Sequence, residues 1–281
     1  MLSYRHSYHA GNHADVLKHL VLVQLLRYMT QKDKAFTVVD THAGAGAYAL
    51  DSEHATKLGE FRGGIGRLWE RNDLPPAIAA YVAEVRALNG PGALLRYPGS
   101  PWLSQHGLRE QDRLRLFELH SSDQRILASL FEDDAKRAIV YADDGFASLK
   151  ALLPPPSRRG LVLIDPSYEL REDYGRVVQA VRESLERFAT GCYAVWYPQL
   201  LKPEARQLPE RLQRLGAKNW LHVTLAVRKA SSDGFGMHGS GMFIINPPWT
   251  LAATLAAEMP WLRDALAEDA GASFTLEHES S

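Results

Sequence analysis

The chain has 281 residues, of which 46% are hydrophobic and 23% charged, with a formal net charge of −1. That describes one large domain, or one domain with an insertion, that buries a real core, and it excludes the strongly basic surface of proteins that hold nucleic acid through phosphates alone. The single cysteine, Cys192, excludes an intrachain disulfide and fits a reducing cytosol, so a cytoplasmic location is expected.

The first stretch, "MLSYRHSYHAGNHADVLKH", is polar and His-rich and has no apolar core of a signal peptide. His9 and His13 stand four apart, as two metal ligands on a helix would. No Glu follows the first His and no third ligand is in view, so no metal is expected. Tyr4, His6 and Lys18 could close over a bound nucleotide, or the segment is simply the polar start of an amphipathic helix. "HLVLVQLL" (19–26) continues a helical pattern and is too short to span a membrane.

"AFTVVDTHAGAGAYAL" (35–50) reads as a strand, a turn of tiny residues and a possible helix start. In the turn 40–46, with His42 and Gly44, small residues would let a cofactor approach the backbone. The spacing is wrong for a dinucleotide and better suits S-adenosylmethionine; equally, any tight connection needs glycine. The next convincing strand comes only near residue 113, so 47–100 reads as a helical insertion in a domain formed by 1–46 and 101–281. Ser100-Pro101 reads as a helix N-cap followed by proline at the first helical position, a role that leaves room for a cofactor contact.

Short strands follow at 113–119, 137–145 and 160–169. Glu118 at the end of the first can accept from both hydroxyls of a ribose, or is an ordinary exposed strand-end acid. Asp143-Asp144-Gly145 can hold an adenine amine and leave the ring's approach open, or is a plain turn. Asp40, Glu118 and Asp144 gain weight together, because three successive strand ends line one edge of a parallel sheet, where ligands bind.

"LVLIDPSYE" (161–169) ends a buried strand on Asp165-Pro166-Ser167-Tyr168. An exocyclic adenine amine is a poor nucleophile because its lone pair is delocalised into the ring. A carboxylate and a rigid backbone carbonyl, accepting its two hydrogens, localise that pair and take up developing charge. Asp165 and Pro166 supply those groups, and Tyr168 offers a ring to stack an extruded base. The competing reading is a proline turn that stops a strand.

Residues 173–188 place Val177, Ala180, Val181, Leu185 and Phe188 on one helical face. A second helix, 202–216, contains Pro209. Strands at 193–198, 220–228 and 241–248 complete a mostly parallel α/β sheet. The last runs into "FIINPPW", where Asn246-Pro247-Pro248-Trp249 is a more regular form of the same amine-methylating pattern. Topology separates the two. If 220–228 and 241–248 form the terminal hairpin of a methyltransferase sheet, the last strand is antiparallel and delivers Asn246 to the wrong edge. Its prolines then stop the sheet and its tryptophan packs. Local charge points to a small nucleic-acid patch: Arg5 and Lys18 near the start, Arg158-Arg159 beside one motif and Arg228-Lys229 near the other. The tail 268–281 is polar and expected to fray.

Taken together, "MLSYRHSYHAGNHADVLKH", "DTHAGAGAY", "YPGSP", "LREQDRL", "SRRGLVLIDPSYE", "YAVWYP" and "SGMFIINPPW" resemble the bacterial large-subunit ribosomal RNA methyltransferase J family, which makes N6-methyladenine in 23S rRNA. The likeness spans nearly the whole chain. It implies a Rossmann-like class I methyltransferase fold, with a mostly parallel seven-stranded sheet and an inserted helical subdomain, acting as a monomer without metal or membrane. It implies contacts to S-adenosyl-L-methionine at His19, His42, Ser100, Glu118, Asp144, Gly145 and Asp165, with Gly44 in the same turn. Asp165 would accept the proton, and Tyr4, His6 and Lys18 would face 23S rRNA. Ser167 departs from the proline that the resemblance leads one to expect, which bears on rate or base positioning rather than reaction type. Two rival readings are a DNA adenine-N6 methyltransferase and a non-catalytic RNA-binding protein with a vestigial cofactor pocket. Cys192, opening a strand, is no candidate for a base-attacking thiolate.

Overall fold

Asn12 starts the helix around which the rest is built. Its side-chain oxygen accepts from the backbone N–H groups of Ala14 and Asp15, both at 3.0 Å, and so caps α1 (His13–Met29). Leu17, Leu20, Val21, Leu22 and Leu25 of α1 are all buried, because the helix is covered on several sides at once. The computed structural model describes residues 5–232, 234 and 236–280.

The chain then runs β1 (Thr37–Asp40), β2 (Ala47–Ala49), α2 (Glu53–Leu58), α3 (Gly66–Trp69), α4 (Pro76–Asn89), β3 (Arg96–Pro98) and α5 (Ser100–Gly107). Next come β4 (Arg113–Phe117), α6 (Ser121–Leu130), β5 (Ala138–Tyr141), α7 (Gly145–Leu152), β6 (Gly160–Ile164) and α8 (Glu172–Arg187). β7 (Cys192–Gln199), α9 (Pro203–Gln213), β8 (Trp220–Ala226), β9 (Gly239–Ile245), α10 (Leu251–Leu266) and β10 (Ser273–Glu279) finish it.

Eight strands form the central sheet in the order β10-β8-β9-β7-β6-β1-β4-β5. Neighbours from β5 to β7 are parallel, β9 is antiparallel to both β7 and β8, and β10 is antiparallel to β8. This is the Rossmann-like class I methyltransferase arrangement, with one strand more than the seven expected. The extra strand is the tail expected to fray. Its alternation Phe274, Leu276 against Thr275, Glu277 suits a half-covered edge strand, and Thr224 and Thr275 share a hydrogen bond of 2.7 Å across the pair. One layer of core joins α1, α4, α5 and α10 to one face of the sheet; a second joins α8 and α9 to the other.

After the turn that follows β1 the chain forms not a helix but β2, which pairs antiparallel with β3. Three α-helices and a short 3-10 helix (Glu60–Gly63) lie between the two strands, so the 47–100 stretch holds a two-stranded ribbon as well as helix. α4 opens on Pro75-Pro76 with no side-chain cap of its own. Glu258 of α10 accepts from the N–H groups of Ala77 (3.1 Å) and Ile78 (3.2 Å) instead, fastening this stretch to the C-terminal helix. No helix among the described residues is long and apolar enough to cross a membrane.

Candidate active site

The carboxyl ends of β1, β4, β5 and β6 lie side by side, so Asp40, Glu118, Asp144 and Asp165 come to one edge of the sheet. They adjoin a cavity of about 360 Å³, lined among others by His6, Lys18, His19, His42, Gly44, Ser100, Glu118, Gly145 and the 165–168 turn. The size is that of a small-molecule site.

Gly44 has φ +61°, and a Cβ there would sit 2.3 Å from the Tyr48 hydroxyl. Its N–H donates to Glu118 Oε2 at 2.8 Å, and His120 N–H donates to Oε1 at 2.6 Å. Those bonds hold the carboxylate at the cavity, and burial pushes its pKa up. Asp40 is fully buried and accepts from Ser100 Oγ at 2.6 Å and from His42 N–H at 3.2 Å. Burial pushes its carboxyl up to about 6, against those two hydrogen bonds. Ser100 is therefore not the helix cap it resembles in sequence. Gly99 occupies the cap position, and the hydroxyl turns to Asp40.

Asp144 caps α7 through Phe146 N–H (2.9 Å) and Ala147 N–H (3.3 Å), while Arg176 pairs with its other oxygen. Gly145 is needed for a more local reason than ligand approach: a Cβ would lie 2.1 Å from the Thr41 carbonyl oxygen. Phe146 sits between His42, 4.7 Å away edge-on, and the Arg176 guanidinium, 4.6 Å from its ring centre. Burial pushes the His42 imidazole down to about 3.

At Asp165 the surroundings change. Lys18 Nζ reaches its Oδ2 at 2.5 Å and Asp15 Oδ1 at 2.9 Å. Asp15 in turn accepts from Gly11 N–H at 2.9 Å and lies 2.8 Å from His6 Nε2. Burial alone would discharge Asp15, Lys18 and Asp165. Asp15 and Asp165 nevertheless hold Lys18 well above its ordinary range, and His6 and Lys18 hold Asp15 well below its own. Asp165 itself is raised by burial, with Lys18 opposing.

Lys18 and His6, expected to face RNA from a surface, are thus engaged at the cavity floor. Lys18 is 5% exposed and acts on Asp165 before it could reach any phosphate. Tyr4, the third member of that group, lies outside the described residues. Tyr168 is not displayed for stacking either: it is 3% exposed, adopts φ +53°, and its hydroxyl donates to the Trp196 carbonyl at 2.6 Å. Pro166 and Ser167 line the cavity beside it, as does Trp196, whose ring is 5.7 Å from Lys18 Nζ. Asp15 is not among the residues the sequence motifs single out, although an acid three residues before a lysine inside an apolar helix is a readable signal. Arg176 and Trp196 gave none.

His9 precedes α1 and pairs with Glu60, so it does not share a helix face with His13. Among the described residues no cluster of three or more His, Cys, Asp or Glu could hold a metal. Cys192 is buried and its thiol is pushed up to about 12. Asn246 leaves β9 at the other end of the sheet. Its side-chain amide donates to the carbonyls of Ala189 and Gly191, each at 2.8 Å, and so closes a turn. Trp249, expected to pack, is 83% exposed.

The basic pairs are transposed from their sequence neighbours. Arg159 precedes the parallel strand β6 and so lies a strand length from Asp165, bonding the carbonyls of Met29 and Lys34. Arg228 follows β8 and stands on the cavity edge, a strand length from Asn246.

Residues 33–277 match the family described as "Ribosomal RNA large subunit methyltransferase D, RlmJ". The chain is 50% identical over 278 residues to a Haemophilus influenzae protein named ribosomal RNA large subunit methyltransferase J, covering 99% of this chain and 98% of that one. It is also 50% identical over 266 residues to an Escherichia coli protein of the same name, covering 95% and 94%. A crystal structure of a Legionella pneumophila protein, 36% identical, superposes with a TM-score of 0.89 over 97% of this chain and 99% of that one.

Proposed function

The chain belongs to this family of ribosomal RNA large subunit methyltransferases, and we propose that it transfers a methyl group from S-adenosyl-L-methionine to the N6 amine of an adenine in 23S rRNA, in the cytoplasm. The observation that carries the reading is Asp165: a cavity-lining carboxylate at the end of a central parallel strand, next to three further strand-end acids. The 47–100 stretch serves as the inserted subdomain that walls the site.

The residues present fit the cofactor. Glu118 is held at the cavity by two backbone N–H groups and keeps lone pairs for the hydroxyls of a ribose. Asp144, with Gly145 close beneath it, suits an adenine amine. Asp40 and Ser100 brace the turn between, and His19 Nε2 is buried without a partner. When bound, the cofactor supplies an electrophilic methyl group on a sulfonium.

The chain's part is to make a poor nucleophile competent. Lys18 engages Asp165 Oδ2 and favours the ionised carboxylate against its burial. Oδ1 is left to accept one hydrogen of the exocyclic amine, and the Pro166 carbonyl accepts the other. The nitrogen lone pair then points out of the base plane, and the positive charge that develops on nitrogen falls beside a carboxylate. Asp165 takes the proton that leaves. Trp196 offers the base an aromatic wall, and Tyr168 braces it from the core through its hydroxyl bond to the Trp196 carbonyl.

Incubation with labelled S-adenosylmethionine and unmodified 23S rRNA, followed by nucleoside analysis, is expected to yield N6-methyladenosine. Label on cytosine or guanine, or preferential labelling of DNA in the same mixture, overturns the assignment.

A further inference from the structure

His19 lines the cavity, yet it is tied at its back to a chain of tyrosines from the 47–100 stretch. Its Nδ1 lies 2.8 Å from the hydroxyl of Tyr97 in β3. That hydroxyl lies 2.8 Å from the hydroxyl of Tyr81 in α4. Both tyrosines are 0% exposed and His19 is 1% exposed. Nε2 of His19 is buried and has no partner. Because Nδ1 is turned onto Tyr97, which does not line the cavity, Nε2 is the nitrogen that faces it.

Counting hydrogens fixes the direction of this chain. Burial, reinforced by the neighbouring Lys18 charge, holds the imidazole pKa well below its ordinary value in spite of Asp15, so the ring is neutral and carries one N–H. Suppose that proton were on Nδ1. It would donate to Tyr97, Tyr97 would donate to Tyr81, and the Tyr81 proton would have no acceptor among the described residues, in a fully buried place. In the reverse direction Tyr81 donates to Tyr97, Tyr97 donates to Nδ1, and every hydroxyl proton is used. The one donor then left over is Nε2–H, which faces the cavity where a ligand acceptor can meet it, whereas the Tyr81 proton of the first arrangement has no such outlet. The proton therefore sits on Nε2.

We propose that Tyr97, backed by Tyr81, is a positioning residue that fixes His19 as an Nε2–H donor for the carboxylate of the cofactor's amino-acid end. The proposal rests on the S-adenosylmethionine reading and assigns a task to the 47–100 stretch. Strand order gives the place: Asp144 and Glu118 take the adenosine end at β5 and β4, which leaves the amino-acid end near β1 and β6, where Lys18 meets Asp165. A neutral donor there suits an acceptor such as a carboxylate and disfavours a group that only donates, such as an ammonium. It also adds no positive charge beside Lys18.

Two measurements test it. In ligand-free protein, nitrogen–proton NMR of the imidazoles should show His19 protonated at Nε2 and bare at Nδ1. Tyr97→Phe should mix the tautomers, while Tyr81→Phe should leave Nε2–H in place, since Tyr97 can still donate. A wild-type His19 protonated at Nδ1 overturns the proposal. Calorimetry then compares S-adenosylhomocysteine with 5′-methylthioadenosine, which lacks the amino-acid end. Tyr97→Phe should weaken the first by about tenfold and leave the second unchanged. Equal losses for both ligands would make the tyrosines merely structural and overturn the proposal alone. If neither ligand binds the wild-type protein, the cofactor reading itself falls, while the NMR experiment still reports the tautomer.

Discussion

The two ends of the central sheet carry nearly the same tetrapeptide, Asp165-Pro166-Ser167-Tyr168 at one and Asn246-Pro247-Pro248-Trp249 at the other. Both contain a non-glycine residue at φ +53°, Tyr168 in the first and Asn246 in the second. There the likeness stops. The acid at 165 keeps one oxygen on a buried lysine and faces a cavity; the amide at 246 spends both its hydrogens on the carbonyls of a turn. The aromatic of the first is locked in the core and that of the second stands in solvent. Residue type and order are thus weaker guides to chemistry than the edge to which a strand delivers them. The carboxyl edge collects several loops, each following a parallel strand. The opposite edge receives residue 246 from a single antiparallel strand and finds only backbone to bond.

Exchanging the roles of the two motifs gives the largest expected effect. Asp165→Asn keeps the shape and removes the charge, and should lower turnover at least about a hundredfold in a labelled-methyl assay. Asn246→Ala should leave turnover within about twofold and instead cost about 1–3 kcal/mol in denaturant unfolding, because two carbonyls lose their donors. Lost turnover in the second variant with normal turnover in the first would reverse the comparison.

Acid should separate the two edges next. Burial sets His13 at about 4 and His42 at about 3, both below the ordinary 6.5, and both lie toward the cavity side. A folded-state pKa below the unfolded one means stability that is present above about pH 6.5 and lost as pH falls toward 4. The loss is at most about 1.4 kcal/mol per pH unit for each histidine. Asp40, raised to about 6, has the opposite sign and offsets part of it. Hydrogen exchange between pH 7 and 4 should therefore open the start of α1 and the 40–46 turn before the 246–249 turn. His13→Gln should flatten the decline. Exchange that begins at 246–249 would sink this view.

The smallest effect belongs to Trp249. Trp249→Ala should shift unfolding by less than about 0.5 kcal/mol, and the lost emission should be the fraction most open to acrylamide quenching. A large destabilisation would restore the packing role expected from the sequence.

Much of the sheet was legible. The alternation in 113–119 and the apolar runs at 161–164 and 241–245 gave strands close to those observed, and Asp40, Glu118, Asp144 and Asp165 were readable as strand-end acids in the right order. β10 does not stand out in the sequence because a charged strand with one covered face has a weak apolar signal. Ser100 reads as a cap because nothing local reveals that its hydroxyl turns to an acid sixty residues away. Lys18 reads as a surface cation in the sequence because burial of a lysine depends on two partners, one of them 147 positions distant.

The periodicities, and with them the strands, the helices and the ordered set of acids at strand ends, are written in the chain itself. Those follow from local sterics and from which side chains avoid water. Tertiary contacts alone set which copy of the motif meets a cavity, which cation pairs with Asp165 and which nitrogen of His19 is left toward the cavity. Those depend on strand direction, on burial and on hydrogen-bond partners brought from distant segments, and none of these is a property of the segment that carries the motif.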